Sequence, residues 1–280
     1  MSEHGEYRPA ASTAEVIDVI SVQSQVIYGC VGNSIAVPSL TRNGLRALAV
    51  PTVLLSNTPH YPTCYGGEIP QQWFQGYLQA IAERGLDAQV RAIITGYLRT
   101  IDKAEALAAW LAEMRAKKPH LLMIIDPVLG DEDTGFYVDP ALAQHYRDSL
   151  APLATGLTPN RFELGCLCGE TLRHEDEIVD AARSLLSQHT KWVVVTSAAR
   201  SDDAQQMKVF CVTAQAVSVT EHPCYPDPPK GTGDLFTAEM TAGLLKGLPV
   251  AEAARQAGLF AQQCVWRTRE AGWRELKLME

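Results

Sequence analysis

The stretch "PPKGTGDLFTAEM", residues 228–240, sets two glycines around a threonine, follows them with an aspartate and runs at once into an apolar helical pattern. Gly231 and Gly233 can take backbone angles closed to other residues. The turn is therefore expected to gather consecutive N–H groups into one concavity. The helix behind it adds unpaired N–H groups and the positive end of its dipole. Together these parts make an anion hole suited to phosphate. Asp234 then has two readings. It is an ordinary N-cap after a plain turn, or it is a base that takes a hydroxyl proton while the N–H cluster holds charge building on a transferred phosphoryl group. Phosphoryl transfer needs mainly positioning and charge stabilisation, and the stretch supplies both. It is not a P-loop, because the chain has no Gly-x4-Gly-Lys-Ser/Thr. It is not the dinucleotide fingerprint either, since Phe236 stands at the third glycine position and the motif lies near the C-terminus.

Working outward, short apolar runs alternate with longer helical patterns. The runs cover residues 16–22, 47–55, 92–95, 121–126, 156–158 and 192–196, and runs 207–213 and 216–220 read as a hairpin. Helices are expected over 71–84, 101–117, 140–149, 161–168, 175–187, 234–246 and 250–268. Such alternation implies crossovers and a mostly parallel central sheet with helices on both faces, a three-layer α/β/α architecture. The first six runs leave into "QSQ", "SNTPHY", "GYLR", "DPVLGD", "TPNRFE" and "TS". In a parallel sheet those ends share one edge, where open α/β folds bind ligands. Loop chemistry alone explains any one polar strand end.

Composition bounds the partners. The net charge is −8 and no Lys/Arg patch interleaves with aromatics, which argues against nucleic acid. Apolar residues at 46% and charged residues at 20% suit a large core in a chain of 280 residues. No apolar run reaches the roughly 18 residues of a membrane span. Residues 1–14 are polar and lack the apolar core of a secretion signal, so a disordered tail and a cytoplasmic protein are expected, with one domain over 15–280. The seven cysteines are scattered, and Cys166 and Cys168 are too close for a common zinc knuckle.

"GTGDLF" resembles the signature of the ribokinase-like kinases. Six motifs in register, "VQSQVIYGCVGNS", "LLSNTPHY", "TGYLR", "DPVLGD", "TPNRFE" and "KGTGDLF", resemble the pyridoxal kinases of vitamin B6 salvage. The resemblance implies a ribokinase-like fold with a short β-hairpin and a lid loop near the nucleotide. "HPCYPDPPK", residues 222–230, suits that lid, and a stiff surface loop explains it nearly as well. The implied activity is ATP-dependent phosphorylation of the 5′-hydroxymethyl group of pyridoxal, pyridoxine and pyridoxamine. Asp234 would be the base, and Gly231, Thr232 and Gly233 the anion hole. Ser24, His60, Tyr97 and Val31, with Tyr61 beside them, would face the vitamer; a solvated loop histidine is the plainer reading of His60. Asp126, Thr158, Asn160, Thr196 and Thr232 would serve ATP.

Lys230 joins the ATP set because it sits against the phosphate turn. Asp126, Asp131, Tyr137 and Glu163 would hold Mg2+. Asp131 would share an ion with Asp126 only if its loop curls back, and Asn160 with Glu163 also reads as a capping box. A monovalent cation such as K+ and a homodimer are further family expectations. "LLSNTPHY" carries Thr58-Pro59-His60 where other branches differ, which leaves vitamer preference open. A hydroxymethylpyrimidine kinase of the same superfamily is the nearest rival. A non-catalytic vitamer-binding protein is the rival of another class, and the intact Asp234 argues against it.

Overall fold

The computed structural model describes residues 16–200 and 205–278. The tail expected over residues 1–14 lies outside the described residues. Eleven strands and eight α-helices follow in order: β1 (Val19–Tyr28), α1 (Asn33–Arg42), β2 (Ala47–Asn57), β3 (Gly66–Glu68), α2 (Gln71–Glu83), β4 (Ala92–Thr95), α3 (Ile101–Lys117), β5 (Leu122–Ile125), β6 (Gly130–Asp131), β7 (Gly135–Phe136), α4 (Ala141–His145), β8 (Gly156–Leu157), α5 (Arg161–Cys168), α6 (Glu175–Ser184), β9 (Trp192–Arg200), β10 (Gln206–Thr213), β11 (Val217–Pro223), α7 (Thr232–Leu245) and α8 (Val250–Glu270).

Nine strands form one sheet in the order β11-β10-β9-β8-β5-β4-β1-β2-β3. From β9 to β2 every pairing is parallel, while β3, β10 and β11 are antiparallel additions. Alternation along the central strands explains the layers. Ile20, Ile93, Met123, Ile125, Val193 and Val195 enter the core shared with α2 to α6, whereas Val19, Ile94, Ile124 and Val194 enter the core shared with α1, α7 and α8. Both faces are therefore apolar, and central strands read as near-continuous hydrophobic runs. The three layers expected from the alternation are present.

Two departures bear on function. The run 16–22 was expected to end at "QSQ", yet β1 continues to Tyr28. Only Val19–Val22 pairs with β4; beyond that β1 pairs with β2 alone, with a register shift between Gln23 and Gln25. There Thr52 and Val53 of β2 stand opposite Ser24 alone, a bulge that bends β2 beside Ser24. Second, α1 was not anticipated, because Pro38 lies inside it and its polar start gives little helical signal.

Candidate active site

α7 begins at Thr232, with Gly231 as its left-handed cap at φ 96°. Asp234 therefore lies inside the first turn, and no side chain caps that end. The ordinary N-cap reading of Asp234 is overturned. Its Oδ2 instead accepts the backbone N–H of Gly32 at 2.8 Å. Gly32 starts α1 at φ 54°, and a Cβ there would stand 2.2 Å from the Ser24 carbonyl oxygen. A Cβ on Gly231 would stand 1.8 Å from the carbonyl oxygen of Cys30 and 3.3 Å from Cα of Val31. Residues 29–32 are thus clasped between Ser24 of β1 and the start of α7, and both glycines are obligatory because backbone passes against backbone.

Gly233 differs. It has no positive φ, and its Cβ would meet nothing nearer than Asp126 Oδ2 at 3.9 Å. The flexibility expected of it is not used. Its bareness leaves space between the helix start and Asp126.

Asp126 follows β5 and is buried at 6% exposure. Thr237, one turn beyond Asp234, donates to Asp126 Oδ2 at 3.2 Å and lies 3.0 Å from the Thr158 hydroxyl. A hydroxyl has one proton to give, so Thr158 donates to Thr237 in turn. Glu163 is buried as well. Asn160 caps α5 and Glu163 reaches back to it, which is the anticipated capping box. Glu163 Oε2 accepts the Asn160 N–H at 2.8 Å and Oε1 that of Leu129 at 3.1 Å. The Asn160 side chain also donates to the Gly130 carbonyl at 2.9 Å, and Asn160 bridges Thr196 on β9.

The electrostatics join these groups. Burial, with Glu163 and Asp234 nearby, pushes Asp126 well above the usual carboxylate range. Burial lifts Glu163 to about 8 against its backbone hydrogen bonds, and the Asp234 charge adds to the rise. Asp234 is half-buried; desolvation lifts it to about 6 while the Gly32 N–H opposes the shift. Positive charge brought near Asp126 and Glu163 would relieve the cost of ionising these buried carboxyls.

Asp131 stands apart from that trio. It closes the β6–β7 hairpin, accepting from Tyr137 OH, from Thr134 N at 2.7 Å and from Thr134 Oγ1 at 2.8 Å. Burial would raise its pKa, but these bonds and the Lys230 charge hold it at about 2. Lys230 Nζ lies 3.3 Å from Asp131 Oδ2, tying the segment before α7 to the hairpin. Burial and the bond to Asp131 raise the Tyr137 phenol. Tyr97 follows β4, its carbonyl held by Thr52 Oγ1 at 2.6 Å. His60 is exposed on the loop after β2, stacked on Tyr61 with ring centroids 4.3 Å apart.

Sequence reasoning passed over Gly32, Thr237 and Glu275. Gly32 lies within a quoted motif, and Thr237 falls three residues after Asp234, a spacing that puts both on one helix face. Glu275 carries no local signal. The hydroxyls of Thr58 and Thr95, after β2 and at the end of β4, are buried without a partner among the described residues.

A family model described as phosphomethylpyrimidine kinase matches residues 37–277. The pyridoxine/pyridoxal/pyridoxamine kinase of Bordetella bronchiseptica is 51% identical over 271 residues, covering 96% of each chain. Pyridoxal kinase from Leishmania donovani, solved with ADP and pyridoxamine, superposes with a TM-score of 0.84 at 27% identity, over 93% of this chain and 90% of that one. A protein from Bacteroides thetaiotaomicron described as a phosphomethylpyrimidine kinase and crystallised with pyridoxal gives a TM-score of 0.83 at 26% identity, over 91% and 89% of the two chains.

Proposed function

The chain belongs to the phosphomethylpyrimidine kinase family, with the ribokinase-like fold of the pyridoxal kinases, and we propose that it transfers the terminal phosphoryl group of ATP to the 5′-hydroxymethyl group of pyridoxal, pyridoxine and pyridoxamine. The observation that carries this reading is the Gly32–Asp234 contact at the uncapped start of α7. Asp234 Oδ2 is occupied by that N–H, which leaves Oδ1 to accept the hydroxyl proton as the alcohol attacks. A pKa near 6 keeps the group ionised at neutral pH yet basic enough to take a proton. The amides of Thr232 and Gly233 have no intrahelical carbonyl to bind, so they can hold oxygens of the moving phosphoryl group. The space over Gly233 admits that group between the helix and Asp126.

A divalent cation fits the oxygen-only donors Asp126 and Glu163, which are buried and lack a cationic partner among the described residues. No set of three or more His, Cys, Asp or Glu residues among those described forms a cage on its own. This suits Mg2+, which is held by one or two carboxylates together with substrate phosphates. Held by Asp126 and Glu163, it would offset the negative charge of the phosphates. Asp131 and Tyr137 are bonded to each other and would contribute only by exchanging that contact. Thr158, Asn160, Thr196, Thr232 and Lys230 complete the ATP side, and Ser24, Val31, His60 and Tyr97 the vitamer side. K+ as a monovalent cofactor, a homodimer, a single kinase domain over 15–280 and a cytoplasmic location belong to the same proposal. Among the described residues no helix is long and apolar enough to cross a membrane.

The family description supports one alternative acceptor, hydroxymethylpyrimidine. A coupled ADP-release assay with each vitamer and the pyrimidine tests the choice. Turnover of the pyrimidine alone would overturn the vitamer reading.

A further inference from the structure

We propose that Glu275, in the segment after α8, is a positioning residue for the vitamer side of the site, holding the 28–32 turn and the 57–65 loop in register by one shared carboxylate. This rests on the vitamer-kinase reading.

Glu275 is 9% exposed. Its Oε1 accepts the Tyr61 hydroxyl at 2.6 Å and lies 4.0 Å from Nε2 of His60. Its Oε2 accepts the Cys30 backbone N–H at 3.2 Å. A Cβ on Gly29, at φ 117°, would stand 2.9 Å from that same oxygen, so the turn passes closely against the carboxylate. The two bonded groups lie 214 and 245 residues away in sequence, on separate elements. Tyr61 in turn packs edge-on against Tyr28, with centroids 5.9 Å apart, so the clasp spans both loops.

The carboxylate is itself fixed. Leu276 is buried with Ile35, Leu235, Cys264 and Val265. Leu235 follows Asp234 directly, and Ile35 lies three residues after Gly32. The next residue, Lys277, donates its N–H to Thr268 Oγ1 at 2.8 Å. One small cluster therefore sets the height of Glu275 against the Gly32–Asp234 pair. The Tyr61 phenol is raised, first by its hydrogen bond to Glu275. A carboxylate with two donors and a histidine beside it is a strong tie, because bonds to a charged acceptor are about twice as strong as neutral ones.

This geometry assigns Glu275 a role in acceptor binding and not in nucleotide binding. Steady-state kinetics on Glu275→Ala, Glu275→Gln, Tyr61→Phe and the Tyr61→Phe/Glu275→Ala pair test it, with thermal melts and direct pyridoxal titration by absorbance. Glu275→Ala should raise the vitamer KM and the pyridoxal Kd about tenfold or more. The ATP KM should stay within about twofold. Glu275→Gln should recover part of the loss, since its amide oxygen still accepts from Tyr61. The double variant should be no worse than Glu275→Ala, because the two changes break one bond. Vitamer and ATP KM rising together, or penalties that add in the double variant, would overturn the role. Wild-type protein that turns over no vitamer would sink the kinase reading. Active wild type with an unshifted vitamer KM in Glu275→Ala would sink the positioning role alone.

Discussion

The backbone N–H of Gly32 donates to Oδ2 of Asp234 at 2.8 Å, so the carboxylate faces the start of α1 and does not cap its own helix. Asp234→Asn preserves an acceptor for that N–H and removes the proton acceptor. Turnover should fall by about 10²–10⁴, the usual worth of a positioned base. Nucleotide affinity, measured by calorimetry, should hold. A variant with near-normal kcat would contradict the role.

The acid limb of kcat/KM should report the same group. Asp234 is lifted to about 6 and must be ionised to accept a proton. Activity should therefore drop about tenfold per unit below that point. A pH profile still flat near pH 5 would show that another group governs the step.

The two glycines of the turn should part company when changed to alanine. Gly231→Ala meets both a left-handed φ and a backbone oxygen 1.8 Å from the new Cβ. Its melting temperature and its activity should fall together. Gly233→Ala meets neither, and alanine favours a helix over glycine by up to about 1 kcal/mol. That protein should melt at or above the wild-type temperature while losing kcat, since the methyl enters the space beside Asp126. Equal melting losses in the two variants would be the contrary result.

Stability should decline as pH rises through neutrality. Glu163 is raised from 4.5 to about 8 and Asp234 from 3.8 to about 6, so the folded protein binds protons more tightly than the unfolded chain. The stabilisation is complete below the unfolded values and is lost as pH climbs through the folded ones. Asp131, held near 2, has the opposite sign, but its contribution is already complete above the ordinary carboxylate range. Metal-free melting temperatures should fall between about pH 5 and 8.5, and Glu163→Gln should flatten the slope. Mg-ATP should restore most at the upper end. A metal-free melting temperature that rises over this range would reverse the sign assigned to the cluster.

Much of this was legible in residue order. The limits of β4, α3 and α5 match the expected ones: β4 is a short, wholly buried apolar run, and α5 is bounded by its Asn160 cap and by Gly169 in the left-handed conformation. The polar strand ends do gather along one edge of the parallel region, where Asp126, Thr158 and the 29–32 turn meet the first turns of α7 and Thr196 stands beside Asn160. What escaped was whatever depends on distant partners. β1 runs past its apolar stretch because β2 supplies hydrogen bonds that local hydropathy does not reveal. Gly233 was credited with a freedom it does not use, since only the three-dimensional path distinguishes a strained glycine from a merely small one. Glu275 is invisible in the sequence because its partners, Tyr61 and Cys30, are drawn to it by the fold.

The spread of the carboxyls along the chain has a consequence for biosynthesis. Asp126, Glu163 and Asp234 leave the ribosome in that order, and the amide that orients the last of them was made 202 residues earlier. All eleven strands are synthesised before α7, which carries Asp234. The sheet can thus take shape on the nascent polypeptide while its reactive corner stays incomplete. Unfinished chains hold no competent centre with which to consume nucleotide.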